Sequence, residues 1–331
     1  AVLDVASRHR EQLLHNIYRM GKNSIERGSR DTWTIRPGAI EAARSALKDQ
    51  EGSKRQSSPS GAAAAVYRKV LRDPEKRDPR GYILSSHQSD FPTAVKFVNV
   101  LIKNGIQWHR AGADFQVGGR RYPAGSFIVK TAQAFRPHII DMFEPQDHPN
   151  DFLYPGGPPI APYDSAGWTL ALQMGIEFDR ILEPFDGPFE EVDDLLPAPA
   201  GRVERSQDAP GFLLNHQLND SFRAVNRLLR SGHKVYWLQA GSHDFYVLNQ
   251  PGLRSEMENL ARQIGVSFQA HDLPLSGPAL RLRQPRIGLV DRWTPAGCAG
   301  SLSSGSSPSA SCSLRSSTPE TSPGSLMCWF L

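Results

Sequence analysis

Between positions 138 and 151 the chain gathers His138, Asp141, Glu144, Asp147, His148 and Asp151. Imidazoles and carboxylates together suit zinc or a similar borderline ion. His138 and Asp141 stand three residues apart, as do His148 and Asp151, a spacing that places two ligands on one helical face or across one tight turn. Pro137, Pro145 and Pro149 prevent a single helix through the cluster, so the spacing does not dictate convergence. The competing reading has these side chains capping turns and pairing with Arg136. On balance no metal is expected, with His138, Asp141, Asp147, His148 and Asp151 as the candidates to test.

Two further histidines are ligand-binding candidates. His87 follows the apolar run Tyr82-Ile83-Leu84, His216 follows Phe212-Leu213-Leu214, and each precedes a glutamine. The carboxyl end of a strand is where open α/β sheets bind ligands; the alternative is that both histidines only hydrogen-bond a strand-to-helix turn. No glycine-rich phosphate loop follows either strand, and Ser86 and Ser126 lack the Gly-x-Ser-x-Gly elbow of an exposed nucleophile. Cys298, Cys312 and Cys328 all fall near the C-terminus, which leaves the body without thiol chemistry, disulfides or cysteine-type zinc sites. Tyr154, Tyr163 and Trp168, set among Pro155, Gly156, Gly157, Pro158, Pro159 and Pro162, could line a groove for a peptide or sugar; a covering strap laid on a core is the competing reading.

The elements that would position these groups follow from periodicity. Apolar residues at helical intervals predict a helix over 2–21 with Gly21 as its stop, a second over 39–48, and a short one through Tyr67, Val70 and Leu71 after the linker-like 51–65. At Asp78-Pro79-Arg80-Gly81 the pattern changes to a strand at 82–84, a helix over 90–104 ended by Gly105, and a strand at 106–109. A Gly118-Gly119 turn and a strand over 121–130 come next, then the irregular Pro/Gly/aromatic stretch, with a helix start at Asp164 or Ser165. Beyond Leu195–Gly201 a related pattern returns: strand 211–214, helix 221–231, strand 234–238, strand 245–248, helix 253–264 and strand 266–270. Ser86-His87-Gln88 set against Asn215-His216-Gln217, and Ala94-Val95 against Ala224-Val225, suggest a weak internal duplication.

The predicted fold class is therefore α/β: two weakly similar strand-helix-strand units, an N-terminal helical segment and a long irregular insertion. The segmentation expected is a helical segment and linker over 1–77, an α/β region over 78–285, the opening strand of a further α/β domain at 286–293, and a tail over 294–331. That tail is rich in Ser, Gly, Pro and Thr without helix or strand period, which reads either as disorder or as a shifted reading frame. With 38 Lys and Arg against 34 Asp and Glu, the net charge of +4 gives no reason to expect nucleic acid as a partner. No apolar run approaches the roughly 20 residues of a membrane span.

The stretches YPAGSFIVKTAQAFRPHIIDMFEPQ and YPGGPPIAPYDSAGWTLALQMGIEFDR, with HREQLLHNIYRMGKNSI upstream, resemble the region that follows the catalytic domain in large bacterial proteins of the M14 zinc carboxypeptidase family. The resemblance covers most of residues 1–293. It implies a parent protein with a peptidase domain before this region and a glutamine-amidotransferase-like domain after it, a zinc cofactor in that parent, and export to the periplasm or medium. It also implies that this chain is a fragment. In that family zinc is held by a His-x-x-Glu pair and a distant His. Here no histidine has Glu three residues later; His87 to Asp90, His138 to Asp141 and His148 to Asp151 come nearest. No family ligand can be carried to a position in this chain, so a non-catalytic accessory segment is expected. An independent metal hydrolase at residues 138–151 and a sugar- or peptide-binding module are the alternatives.

Overall fold

The computed structural model describes residues 2–51, 59–145, 152–160, 169–206 and 209–284. Residues through Gln284 form one compact unit. Its mixture of helices and sheets is the α/β class expected, and every sheet pairing is antiparallel.

The chain opens with α1 (Val2–Arg8) and α2 (Arg10–Gly28). Helix α2 runs straight through Gly21, the expected stop. Close contact, not termination, accounts for Gly28. A Cβ on Gly28 would lie 2.3 Å from the Thr131 carbonyl oxygen, and one on Gly21 would touch Ala134. The helix end thus rests directly on backbone that a side chain would push away. After α2, the segment at 30–36 is fastened to the body by Asp78, whose carboxylate accepts from Thr34 N (2.9 Å), Thr34 Oγ1 (3.1 Å), Thr32 Oγ1 (3.1 Å) and Arg136 Nη2 (2.6 Å). Helices α3 (Pro37–Glu51) and α4 (Pro59–Leu71) pack on each other.

Two units of one topology follow. The first comprises β1 (Gly81–Leu84), α5 (Phe91–Lys103), β2 (His109–Ala111), the hairpin β3 (Phe115–Val117) and β4 (Arg120–Tyr122), β5 (Phe127–Lys130), α6 (Arg136–Phe143), α7 (Leu170–Gln173), β6 (Asp179–Ile181) and β7 (Phe189–Glu191). The second comprises β8 (Gly211–Leu214), α8 (Asn219–Arg230), β9 (Val235–Leu238), β10 (Phe245–Leu248), α9 (Leu253–Ile264), β11 (Phe268–His271) and β12 (Ala279–Arg281). Their sheets run β6-β1-β5-β2-β7 and β11-β8-β10-β9-β12, which is the same order once equivalent strands are matched. Each is a split β-α-β unit, β-α-β-β-α-β, with one additional edge strand. The duplication is thus a repeat of a whole topology.

Local chemistry repeats with it. Gly105 and Gly232 both adopt positive φ after the first helix of their unit. Around them Gly105 N bonds Ile102 O and Ile106 N bonds Leu101 O, while Gly232 N bonds Leu229 O and His233 N bonds Leu228 O. This paired pattern satisfies the last helical carbonyls and turns the chain toward the next strand. It also explains why β2 starts at His109 instead of 106: Ile106 belongs to the helix cap and Trp108 is wholly buried. The two first helices meet at buried acids. Asp90 accepts from Thr93 N of its own helix and from Asn219 N of α8, and Asp220 accepts from Lys96 of α5 and Arg223.

The first unit carries two additions. Its β3-β4 hairpin lays Phe115, Val117 and Tyr122 over Ile83, Ile128 and Ile181, on the sheet face away from the helices. Its second helix is interrupted: α6 has 8 residues and α7 has 4, where α9 has 12 in one piece. Thr169 bridges the break, its N–H donating to Asp141 O (3.3 Å) and its hydroxyl to Glu144 O (2.9 Å). Helices α6 and α7 are therefore two parts of one helical element, interrupted between Glu144 and Thr169. The helix start expected at Asp164 or Ser165 and the strand expected at 287–290 lie outside the described residues, as does the tail.

Candidate functional site

Because β8 and β10 are neighbours with Leu214 opposite Phe245, the residues just after β8 and just before β10 are brought together. After β8, Asn215 Oδ1 accepts from Gln217 N (2.8 Å), a turn that presents His216 toward β10. Before β10, Asp244 Oδ1 accepts from His216 N (3.1 Å) and lies 3.2 Å from His216 Nδ1. The imidazole side chain is 30% exposed and the carboxylate 19%, so the pair is accessible without being fully solvated. With the ring proton on Nδ1 facing Asp244, Nε2 is left as an acceptor, the state required of a general base or a ligand-orienting group.

The loop carrying Asp244 is tightly held. His243 has φ 58°, a left-handed conformation unusual for a residue with a side chain. Trp237 Nε1 donates to His243 O (2.9 Å), and Leu238 N donates to Asp244 O (3.0 Å). The rings of His216 and His243 lie 6.4 Å apart and nearly perpendicular. Together with Asn215, Gln217, Ser242 and Gln269, the pair borders a cleft of about 450 Å³. Ser242 Oγ accepts from Asp244 N (3.4 Å), and among the described residues no hydroxyl is bonded to His216 Nε2.

The first unit shows what the fold alone requires at this place. There Ser86 N donates to Ser126 Oγ (3.2 Å), and Ser126 directly precedes Phe127 as Asp244 precedes Phe245. A buried serine satisfies the turn that His216 and Asp244 occupy in the second unit. The imidazole and carboxylate exceed that structural need. Comparisons with protein-family models, with curated proteins and with solved structures find no match.

The candidates from sequence fare differently. His216 lies in the cleft, but the argument from open parallel sheets does not apply, since both sheets are antiparallel. His87 is not its counterpart: His87 N bonds Ser85 Oγ as Gln217 N bonds Asn215 Oδ1, so the equivalent of His216 is Ser86. His87 is exposed. Its charge adds only weakly to Asp114, whose carboxyl is held below the usual range chiefly by the Ala124 N–H and then by Arg121. His138 and Asp141 both lie on α6, His138 with Nε2 buried and without a hydrogen-bond partner among the described residues. Asp147, His148 and Asp151 lie outside the described residues, as do Tyr163 and Trp168. Among the described residues no three His, Cys, Asp or Glu side chains converge to hold a metal ion. Tyr154 is exposed and its ring covers Gly157, in a turn closed by the Phe152 to Pro159 bridge.

Asp244, Ser242, His243 and Gln269 were not foreseen. The only signal was the polar run Ser242-His243-Asp244 between two strands, which acquires meaning once β10 is known to lie beside β8.

Elsewhere the charged groups serve the architecture. Tyr82 donates to Glu144 Oε1 (2.8 Å), which also receives Arg180 Nε (2.8 Å), and burial followed by the Glu144 charge raises the phenol well above its ordinary value. Tyr122 is pushed up to about 12, first by burial and then by Asp179.

Proposed function

We propose that this chain is a non-catalytic accessory region of an M14-like zinc metallocarboxypeptidase, one that contacts the peptidase domain which, in the parent, precedes it. Zinc, and removal of C-terminal amino acids from peptides, belong in this reading to that other domain. A glutamine-amidotransferase-like domain is the second partner it implies. The observation that supports it is helix α2. Leu13, Leu14, Ile17, Tyr18, Met20 and Ile25 are all exposed, with Ile17 at 65% and Met20 at 69%. Leu13 and Ile17, and Leu14 and Tyr18, are spaced to share faces of the helix. A row of large apolar side chains left in water marks an interaction surface. Among the described residues no helix is long and apolar enough to cross a membrane, so the row does not belong to a membrane-spanning helix.

The test mixes the purified chain with a separately expressed M14 peptidase domain from a protein that carries this region, and follows association by sedimentation. Binding is expected, with loss of at least tenfold in affinity for Ile17→Glu. That variant should keep its melting behaviour, since a substitution at an exposed site typically shifts stability by no more than about 0.5 kcal/mol. Absence of association, or release of terminal amino acids from free peptides by the chain alone with zinc, would overturn the proposal.

A further inference from the structure

We infer that the His216–Asp244 cleft is a binding site for a neutral saccharide, a role independent of the docking helix. The first ground is the comparison within the molecule: the same turn in the first unit is satisfied by Ser126, so the fold does not demand an imidazole and a carboxylate there. The second is the chemistry of the walls. Asn215, Gln217 and Gln269 bring primary amides, Ser242 and Ser267 hydroxyls, and Leu213 and Leu218 an apolar surface. Amides both donate and accept, as sugar hydroxyls do, and a sugar's C–H face seats on aliphatic carbon. Among the described residues no Lys or Arg lines the cleft, and the Asp244 carboxylate opposes an anion, which disfavours phosphates and free carboxylates as ligand classes. A volume of about 450 Å³ suits a mono- or disaccharide.

An extended peptide fits less well. The backbone of β11 beside the cleft pairs with β8 on one side. On the other, Phe268 N donates to Arg202 O (2.7 Å), Phe268 O accepts from Glu204 N (2.9 Å), and Ala270 N donates to Glu204 Oε2 (2.9 Å). Among the described residues no free strand edge remains there for a peptide to extend. Recognition must come from side chains converging on a compact, hydroxyl-rich ligand. In that arrangement Asp244 orients His216 so that Nε2 accepts a sugar hydroxyl proton.

The test is ligand-observed NMR of the whole chain with glucose, N-acetylglucosamine, maltose and chitobiose, and with acetyl-trialanine amide as the peptide arm. At least one saccharide should bind saturably, with Kd near the millimolar range expected of a small open cleft. Asp244→Asn, which removes the charge that orients His216, should weaken that binding about tenfold or more. Gln269→Ala, at an exposed strand position where folding is not at stake, should weaken it severalfold; His87→Ala, in the other unit, should leave it unchanged. Failure of every saccharide to saturate, binding of the peptide instead, or undiminished saccharide binding in both cleft variants would overturn the inference. Since α2 does not line the cleft, none of these outcomes bears on its docking to a peptidase domain.

Discussion

Replacing Asp78 by alanine should be among the most damaging single changes in the protein. Its carboxylate is the acceptor for Thr34 N, Thr34 Oγ1, Thr32 Oγ1 and Arg136 Nη2, and the Asp78 and Arg136 side chains are only 10% and 7% exposed. Truncation leaves the Arg136 charge buried beside Thr32 Oγ1, a neutral partner at 3.0 Å that cannot compensate it. Breaking a buried pair from one side destabilises by about 3–5 kcal/mol. At roughly 2 °C per kcal/mol for a body of this size, the melting midpoint should fall by roughly 6–10 °C. Urea unfolding followed by circular dichroism gives the free energy. Limited proteolysis reports whether the 30–36 segment has come loose, and with it the seating of α2. The companion variant Asp78→Ala with Arg136→Met removes both charges and should regain at least about 1 kcal/mol over the single change. A loss below about 1 kcal/mol for Asp78→Ala, or a double variant as unstable as the sum of its parts, would refute the claim that this pair fastens the N-terminal helices to the sheet.

Two other predictions concern pH and backbone. Burial first, and Lys130 second, lower the pKa of His109, whose Nδ1 is enclosed without a partner among the described residues. The folded chain therefore prefers the neutral ring. That stabilisation is fully present above the ordinary imidazole value of about 6.5 and is lost as pH falls through the lower folded value. His109→Gln should flatten stability against pH over that window; an unchanged slope there would exclude His109 as its source. Gly232→Ala should cost about 1–2 kcal/mol in urea unfolding through left-handed strain alone, because apart from its chain neighbours nothing lies within 4 Å of the added methyl.

Much of the fold can be read in the sequence where an element is long and bounded by its own chemistry. Helices α5, α8 and α9 carry apolar faces and end at Gly105, Gly232 and Gly265, and each is expected within two residues of where it lies. Gly21 misleads because a glycine that a helix merely tolerates is indistinguishable in sequence from one that stops it. The interrupted helix could not be recognised, since α6 and α7 are each too short to display a period and the chain between them hides their continuity. Of the cleft, His216 was visible as a polar residue at a strand end. Its partner was not, because Asp244 becomes a neighbour only through the pairing of β8 with β10, a non-local fact that periodicity does not encode. The equivalence of His87 with His216 failed for a related reason: turns align by their hydrogen bonds, and like residues one position apart need not correspond.

The break between α6 and α7 has a practical consequence for chain surgery. Asp141 and Glu144 on one side of the gap are held to Thr169 on the other, so the two ends of the interruption already sit side by side. The second unit shows that the same helix is viable without any departure. The ends at Glu144 and Thr169 therefore form a natural port, where the sequence joining them should tolerate exchange or replacement by a reporter while both halves of the helix keep their seats.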